Sequence, residues 1–396
     1  MLALFIVMKQ DFQFAAGTCG FKKTKKPDLA IIYSGAPCTY SGVFTTNQVR
    51  AACVDENKSL LKKRKKIRAI VINSGNANAC TGEKGIQAVK KTKQLAAKLL
   101  KINFDDVLVA STGIIGVQLD MEKMKTGLEH TIPKLNTNNL KSAARAILTT
   151  DRFVKIVKRK TKDFKLVGFT KGAGMIHPNM ATMLCYLMTN LKVPQNLLQD
   201  ALKAACDESF NNISVDGDMS TNDMVILLSN NQSKKEVKSK NDPLYLSFKK
   251  ILTEACIKLG KEIVIDGEGA NKLINVTILG ARTNKDAKEI ARSIASSTLF
   301  KCAIFGSDPN WGRAASRIGC TNVKVDQNKI DIFLNKIQVC KNGNPLKFDR
   351  NKLNKQIKKS KEVKVTANLK LGNKSGSAFG CDLSYDYVKF NSGYFT

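Results

Sequence analysis

The sequence predicts a layered fold of the α+β or α/β class. Three observations carry that expectation. Short aliphatic and β-branched runs alternate with turn signals, as in LAIIYS (29–34), IRAIVINSG (67–75) and DVLVAST (106–112). Segments of helical period lie between such runs, the first of them at 83–101. The chain is also long enough, at 396 residues of which 43% are hydrophobic, to bury a substantial core and divide into subdomains.

In chain order, the helix at 83–101 (EKGIQAVKKTKQLAAKLLK) has Ile86, Val89, Ala96, Leu99 and Leu100 as its apolar residues, lysines on the other face, and Thr81 as an N-cap candidate. Further helices are expected at 138–149, 194–210, 243–260 and 285–297. Pro194 suits a first turn, and Asp242 followed by Pro243 suits a capped start. Strands are expected at 182–190, 223–229, 272–280, 329–338 and 362–369, with residues 230–242 as a polar surface loop. A last strand is expected at 379–390, because Phe379, Cys381, Leu383, Tyr385 and Tyr387 alternate with a period of two.

The net charge of +32 raises nucleic-acid binding, but only 11 of the 65 basic residues are arginine, the side chain whose planar fork reads bases. The lysine runs at 62–66, 155–162, 233–240 and 358–364 carry no interleaved aromatics for base stacking, and read as solvated surface. A basic binding protein stays as a competing class, tested by the salt dependence of DNA binding. The 11 cysteines form no C-x-x-C pair and the only histidines are His130 and His177, which supports buried free thiols over a zinc site. The apolar opening MLALFIVMK is too short to span a bilayer and lacks the features of a secretory signal, so a cytoplasmic, membrane-free protein is expected.

Four stretches are denser in Gly, Asn, Asp, Ser and Thr than folding requires: NSGNANACTG (73–82), STGIIG (111–116), KGAGMIHPNMATML (171–184) and VDGDMSTND (215–223). DGEGA (266–270) and SDPNWGR (307–313) are shorter companions. A structural turn explains each taken singly. Backbone N–H groups beside Gly113 are nonetheless suited to an oxyanion, and Lys171 stands next to glycines that let a ligand approach the backbone. No G-x-S-x-G elbow, complete set of S-x-x-K, S-D-N and K-T-G elements, or phosphate loop occurs, and two histidines leave little room for a Ser-His-Asp triad. That directs attention to a nucleophile needing no histidine. A threonine made N-terminal by cleavage is one, because its own α-amine, with a pKa of roughly 7.7–8.0, can take the hydroxyl proton. Thr182, between a proline turn and an apolar strand, fits that form.

KGAGMIHPNMATML resembles the signature of the bifunctional ornithine acetyltransferase, or glutamate N-acetyltransferase, family of arginine biosynthesis. GVFTTNQVRAA (42–52), NSGNANACTG, STGIIG, TTD (149–151), SVDGDMSTND, DGEGA, DPNWGR and CDLSYDYVKFNSGY look like that family's segments in its order, over nearly the whole chain. The resemblance implies a layered αββα sandwich of the α+β class, similar to the N-terminal-nucleophile hydrolases but with its own topology. It implies self-cleavage between Ala181 and Thr182, leaving an α chain of 1–181 and a β chain of 182–396 that associate as two α and two β chains. Carried over, Thr182 is the cleavage nucleophile and acyl acceptor, and Thr112 with Gly113 forms the oxyanion hole. Substrate contacts fall to Thr150 or Thr149, Lys171, Thr182, Glu268, Asn391 and Thr396.

The implied reaction is ping-pong transfer of acetyl from N-acetylornithine to glutamate without metal or redox cofactor; whether acetyl-CoA is a further donor is left open. The residue types suit it: Glu268 a substrate ammonium, Lys171 a carboxylate, Asn391 and Thr396 neutral hydrogen bonds. His177 departs from the family pattern, which has a small residue there, and is expected to fill space near the turn. The alternative within the same chemistry is a self-processing aminopeptidase or amidase of related fold, in which water resolves the ester.

Overall fold

The computed structural model describes residues 11–177 and 183–393. An eight-stranded sheet is built from β1 (Phe12–Gly17), β2 (Leu29–Phe44), β3 (Ile67–Asn76), β4 (Val107–Ile114), β5 (Lys155–Lys160), β6 (Lys165–Lys171), β7 (Leu184–Thr189) and β9 (Met224–Ser229). Its strand order is β4-β3-β2-β9-β7-β6-β5, with β1 paired to β2.

The long strand β2 folds this sheet on itself. Its first half pairs with β3 and its second half with β9, with the register broken between Tyr33 and Cys38. Gly35, Ala36 and Pro37 lie in the break, where proline has no N–H to give a ladder. The Ser34 hydroxyl instead bonds the Ala36 backbone.

One core then fills the space between the halves. Ile70, Ile72 and Leu108 from one side meet Tyr186, Met188, Ile226 and Leu228 from the other. The alternate residues of the second half, Cys185, Leu187, Val225 and Leu227, face outward onto α5 (Gln195–Glu208) and α6 (Pro243–Ile265). On the opposite side Ile31, Val71 and Val107 pack under α2 (Gly82–Leu100) and α3 (Met121–Thr131). Helix, sheet, sheet, helix is the αββα sandwich expected, and β7 and β9 are buried along their whole length because both their faces are covered. Helices α1 (Ala52–Lys62) and α4 (Leu140–Ala146) close the edges of the inner core.

A second sheet, of seven strands, holds the C-terminal part: β8 (Ile213–Ser214), β10 (Leu273–Ala281), β11 (Asp331–Leu334), β12 (Ile337–Lys341), β13 (Asn344–Pro345), β14 (Glu362–Asn368) and β15 (Lys374–Cys381). It is covered by α7 (Asn284–Ala295), whose Ala287, Ile290, Ala291 and Ile294 form one apolar stripe. Helices α8 (Thr298–Phe305), α9 (Trp311–Gly319) and α10 (Arg350–Lys359) complete that core.

Two sequence expectations are corrected. The strand expected at 379–390 stops at Cys381, and Tyr385–Gly393 is helix α11. The Asp382 carboxylate accepts from the Asn271 and Lys272 N–H groups and turns the chain out of the sheet. Ser384 then accepts from the Tyr387 N–H in the first turn. Alternation in Leu383, Tyr385 and Tyr387 was thus not a buried face; Tyr385 is 82% exposed. The strand expected at 329–338 is two, β11 and β12, reversing at Asn335 with φ +54°. Among the described residues no helix is long and apolar enough to cross a membrane.

Candidate active site

The sandwich brings strand ends and turns from distant parts of the chain to one cavity of about 110 Å³. Strand β4 runs through Ser111 and Thr112 into Gly113, in parallel register with Ser74 and Gly75 of β3. Gly113 has φ +133°, and a Cβ there would lie 2.3 Å from the Gly75 carbonyl carbon, so only glycine keeps this strand end in place. The Asn222 side-chain amide donates to the Ser111 carbonyl at 2.8 Å and to the Ala77 carbonyl at 2.7 Å, clamping β4 to the loop after β3.

Lys171 ends β6, is 4% exposed, and reaches Thr149 Oγ1 with its ammonium at 3.3 Å. Burial lowers its pKa, and Lys155 adds to that, while Asp151, Asp223 and Glu268 oppose it. Asp151 organises the surrounding backbone. It accepts from the Gly172 N–H at 2.7 Å and the Thr149 N–H at 3.1 Å. Behind it Lys155 is fully buried between two carboxylates, at 2.7 Å from Asp151 and 2.5 Å from Asp266. Burial alone would raise the Asp151 carboxyl, but the Lys155 and Lys171 ammonium groups and the Gly172 N–H hold it below its usual value. Arg152 completes Asp266 through its backbone N–H and Nε.

Asp266 opens the turn that delivers Glu268, whose N–H donates to the Ala173 carbonyl at 2.9 Å. Gly174 makes room for the acid: a Cβ on it would lie 2.5 Å from the Glu268 carboxylate. From α11 the Asn391 side-chain amide donates to Glu268 Oε2 at 3.0 Å. The turn beyond Gly174 is held by Asp216, which accepts from the Met175 and Ile176 N–H groups at 2.6 and 2.8 Å, with Met175 at φ +56°. His177, half-buried, has Nδ1 3.3 Å from Ser214 Oγ, and burial followed by the Arg292 charge lowers its pKa.

Thr112, Gly113, Thr149, Thr150, Lys171, Glu268 and Asn391 all line the one cavity. Ala181, Thr182 and Thr396 lie outside the described residues. A larger cleft, about 510 Å³ between α1 and the start of α2, contains none of these side chains. Several supporting residues escaped the sequence reading. Asp151 and Asp223 close the polar stretches TTD and VDGDMSTND, and an acid ending a Thr/Asn/Ser cluster was the available signal. Lys155 was hidden in a basic run read as solvated surface, although it alone of that run's lysines stands four residues from an aspartate, the one buried with it.

Comparison with known proteins follows the same outline. The model of the ArgJ family matches residues 13–396. An arginine biosynthesis bifunctional protein ArgJ from Caldanaerobacter subterraneus subsp. tengcongensis is 44% identical over 99% of this chain and 98% of its own. One from Bacillus thuringiensis subsp. konkukian is 42% identical over 99% and 96%. The solved structure of an arginine biosynthesis bifunctional protein ArgJ from Bacillus halodurans is 41% identical with a TM-score of 0.51, matching 52% of this chain and 96% of that one.

Proposed function

The chain belongs to the ArgJ family of arginine-biosynthesis acyltransferases, and from that premise we propose that it carries acetyl from N-acetyl-L-ornithine to L-glutamate on Thr182. The observation that carries the reading is the convergence on one cavity of seven residues that the resemblance singles out, drawn from five separate segments of the chain.

Maturation comes first. The Thr182 hydroxyl attacks the Ala181 carbonyl, the peptide C–N bond breaks as an ester forms, and water releases the Ala181 carboxylate and a free Thr182 α-amine. The resulting chains, 1–181 and 182–396, stay together because the cut leaves interleaved strands. β6 of the first pairs with β7 of the second, β2 of the first with β9 of the second, and the Asp151–Lys155–Asp266 cluster crosses between them. We assign the mature enzyme to the cytoplasm as two α and two β chains, as the family resemblance implies.

In transfer, Glu268 meets a substrate ammonium and Lys171 a substrate carboxylate, with Thr149 or Thr150, Asn391 and Thr396 supplying neutral bonds. The Thr182 α-amine takes the hydroxyl proton as Oγ bonds to the acetyl carbon. Charge developing on the acetyl oxygen is met at the Thr112–Gly113 end of β4. The amine returns the proton to departing ornithine, and glutamate then takes acetyl from the ester. Each step uses an acid, base or hydrogen-bond donor of the chain, so no metal or redox group is called for; acetyl-CoA would enter only as an alternative donor.

The test combines a denaturing gel with a transfer assay. Wild type should run as two fragments and Thr182→Ala as one inactive band. N-acetylornithine should be consumed rapidly only when glutamate is present. Hydrolysis indifferent to glutamate would instead establish an amidase, and turnover with acetyl-CoA decides the second activity.

A further inference from the structure

β7 and β9 are parallel neighbours with Leu184 opposite Met224, so the residues just before them, Met183 and Asp223, stand side by side at one mouth of the sheet. The Met183 N–H donates to Asp223 Oδ1 at 2.8 Å, and the Met224 N–H returns to the Met183 carbonyl at 3.1 Å. Asp223 is 1% exposed, its second oxygen, Oδ2, has no partner within hydrogen-bond geometry among the described residues, and the Ser220 hydroxyl favours its charged form from nearby. A buried carboxylate oxygen left without a partner is costly.

We propose that Asp223 is the counter-ion of the α-amino group that cleavage creates on Thr182, a positioning residue that turns this amine toward its own hydroxyl. The inference rests on the cleavage reading above. Before the cut the Thr182 nitrogen is a neutral amide. Afterwards it is an ammonium with three donors, separated from the Met183 nitrogen only by Thr182's own Cα and carbonyl carbon. Asp223, anchored to that same nitrogen through one oxygen, offers the other to the new cation.

The charged group already facing Asp223 is Lys171 from β6; Asp151, Lys155 and Glu268 in turn surround Lys171. Burial pushes the Asp223 carboxyl well above its usual range, opposed by the Met183 N–H, Lys171 and Ser220.

Asp223→Asn keeps an acceptor for the Met183 N–H and removes only the charge. In the cut variant the acid limb of the kcat/KM pH profile should move down by about one unit or more, because the amine loses the anion that favours its protonated form. Melting temperature supplies a readout independent of activity. Asp223→Asn should lower it in the cut enzyme and leave it unchanged or raised in the uncut Thr182→Ala chain. An equal loss in both forms assigns Asp223 to Lys171 and overturns the inference, as does an unshifted pH limb. A D223N chain that stays uncut also overturns it, since a counter-ion to the product amine is not needed before the cut. An uncut wild type is a different failure, of the cleavage reading itself, and the gel reports it before either comparison is made.

Discussion

Gly174→Ala offers a narrow perturbation of the cavity. The added Cβ would lie 2.5 Å from Cδ and both oxygens of the Glu268 carboxylate, where ordinary contact begins near 3.4 Å. Gly174 carries no left-handed φ, so the backbone can accept alanine, and the atoms that must move are the far end of one flexible side chain. The carboxylate swings away by about 1 Å and leaves both the Asn391 amide and the place where a substrate ammonium is received. A hydrogen bond to a charged group contributes about 1.5–3 kcal/mol, so KM for N-acetylornithine should rise roughly 10- to 150-fold. The melting temperature should move little, because nothing in the core is touched. Steady-state kinetics with both substrates and a thermal melt make the check. An unchanged KM would show that Glu268 does not hold substrate, and a collapsed melt would show that Gly174 serves folding instead.

Three other outcomes follow from the same geometry. Lys155→Met should destabilise the protein by about 3–5 kcal/mol in a urea titration, since it leaves Asp151 and Asp266 facing each other with their shared cation gone; a loss below about 1 kcal/mol would refute this. Gly113→Ala adds a left-handed φ to a collision with backbone, so it should reduce kcat by at least about tenfold, and near-wild-type turnover would remove the end of β4 from the oxyanion role. In uncut Thr182→Ala, the folded chain keeps a proton on Asp223 that the unfolded chain releases near pH 4, so the unfolded state binds fewer protons and the Asp223 contribution to stability falls as pH rises from there through the raised folded value. Melts across that range should show the slope in Thr182→Ala and its loss when Asp223→Asn is added.

Much of this was readable before any coordinates. Periodicity located β3, β4, β7, β9 and the helices at 195–208 and 243–265, because two-sided burial leaves unbroken apolar runs and one-sided burial leaves helical stripes. It missed the β5–β6 hairpin that carries Lys171, since Lys155, Lys158, Arg159 and Lys160 crowd β5 and mask its buried positions. It misread the last segment, where Leu383, Tyr385 and Tyr387 alternate in a pattern that a solvent-exposed helix tolerates as well as a strand does.

The sequence by itself named the residue types on which the proposed chemistry rests. Side-chain types, glycines beside a lysine, and a threonine at the head of a strand are local properties, and motif resemblance reads local order. Tertiary structure alone decided which of 65 basic residues lose their water and which acids face them. Lys155 and its neighbours in the run 155–162 are the same letter, yet Lys155 is sealed between Asp151 and Asp266 while Lys158 and Lys160 are exposed. Burial and charge pairing depend on partners more than a hundred residues away, and Asp266 reaches Lys155 only because the folded sheet and α6 bring them together.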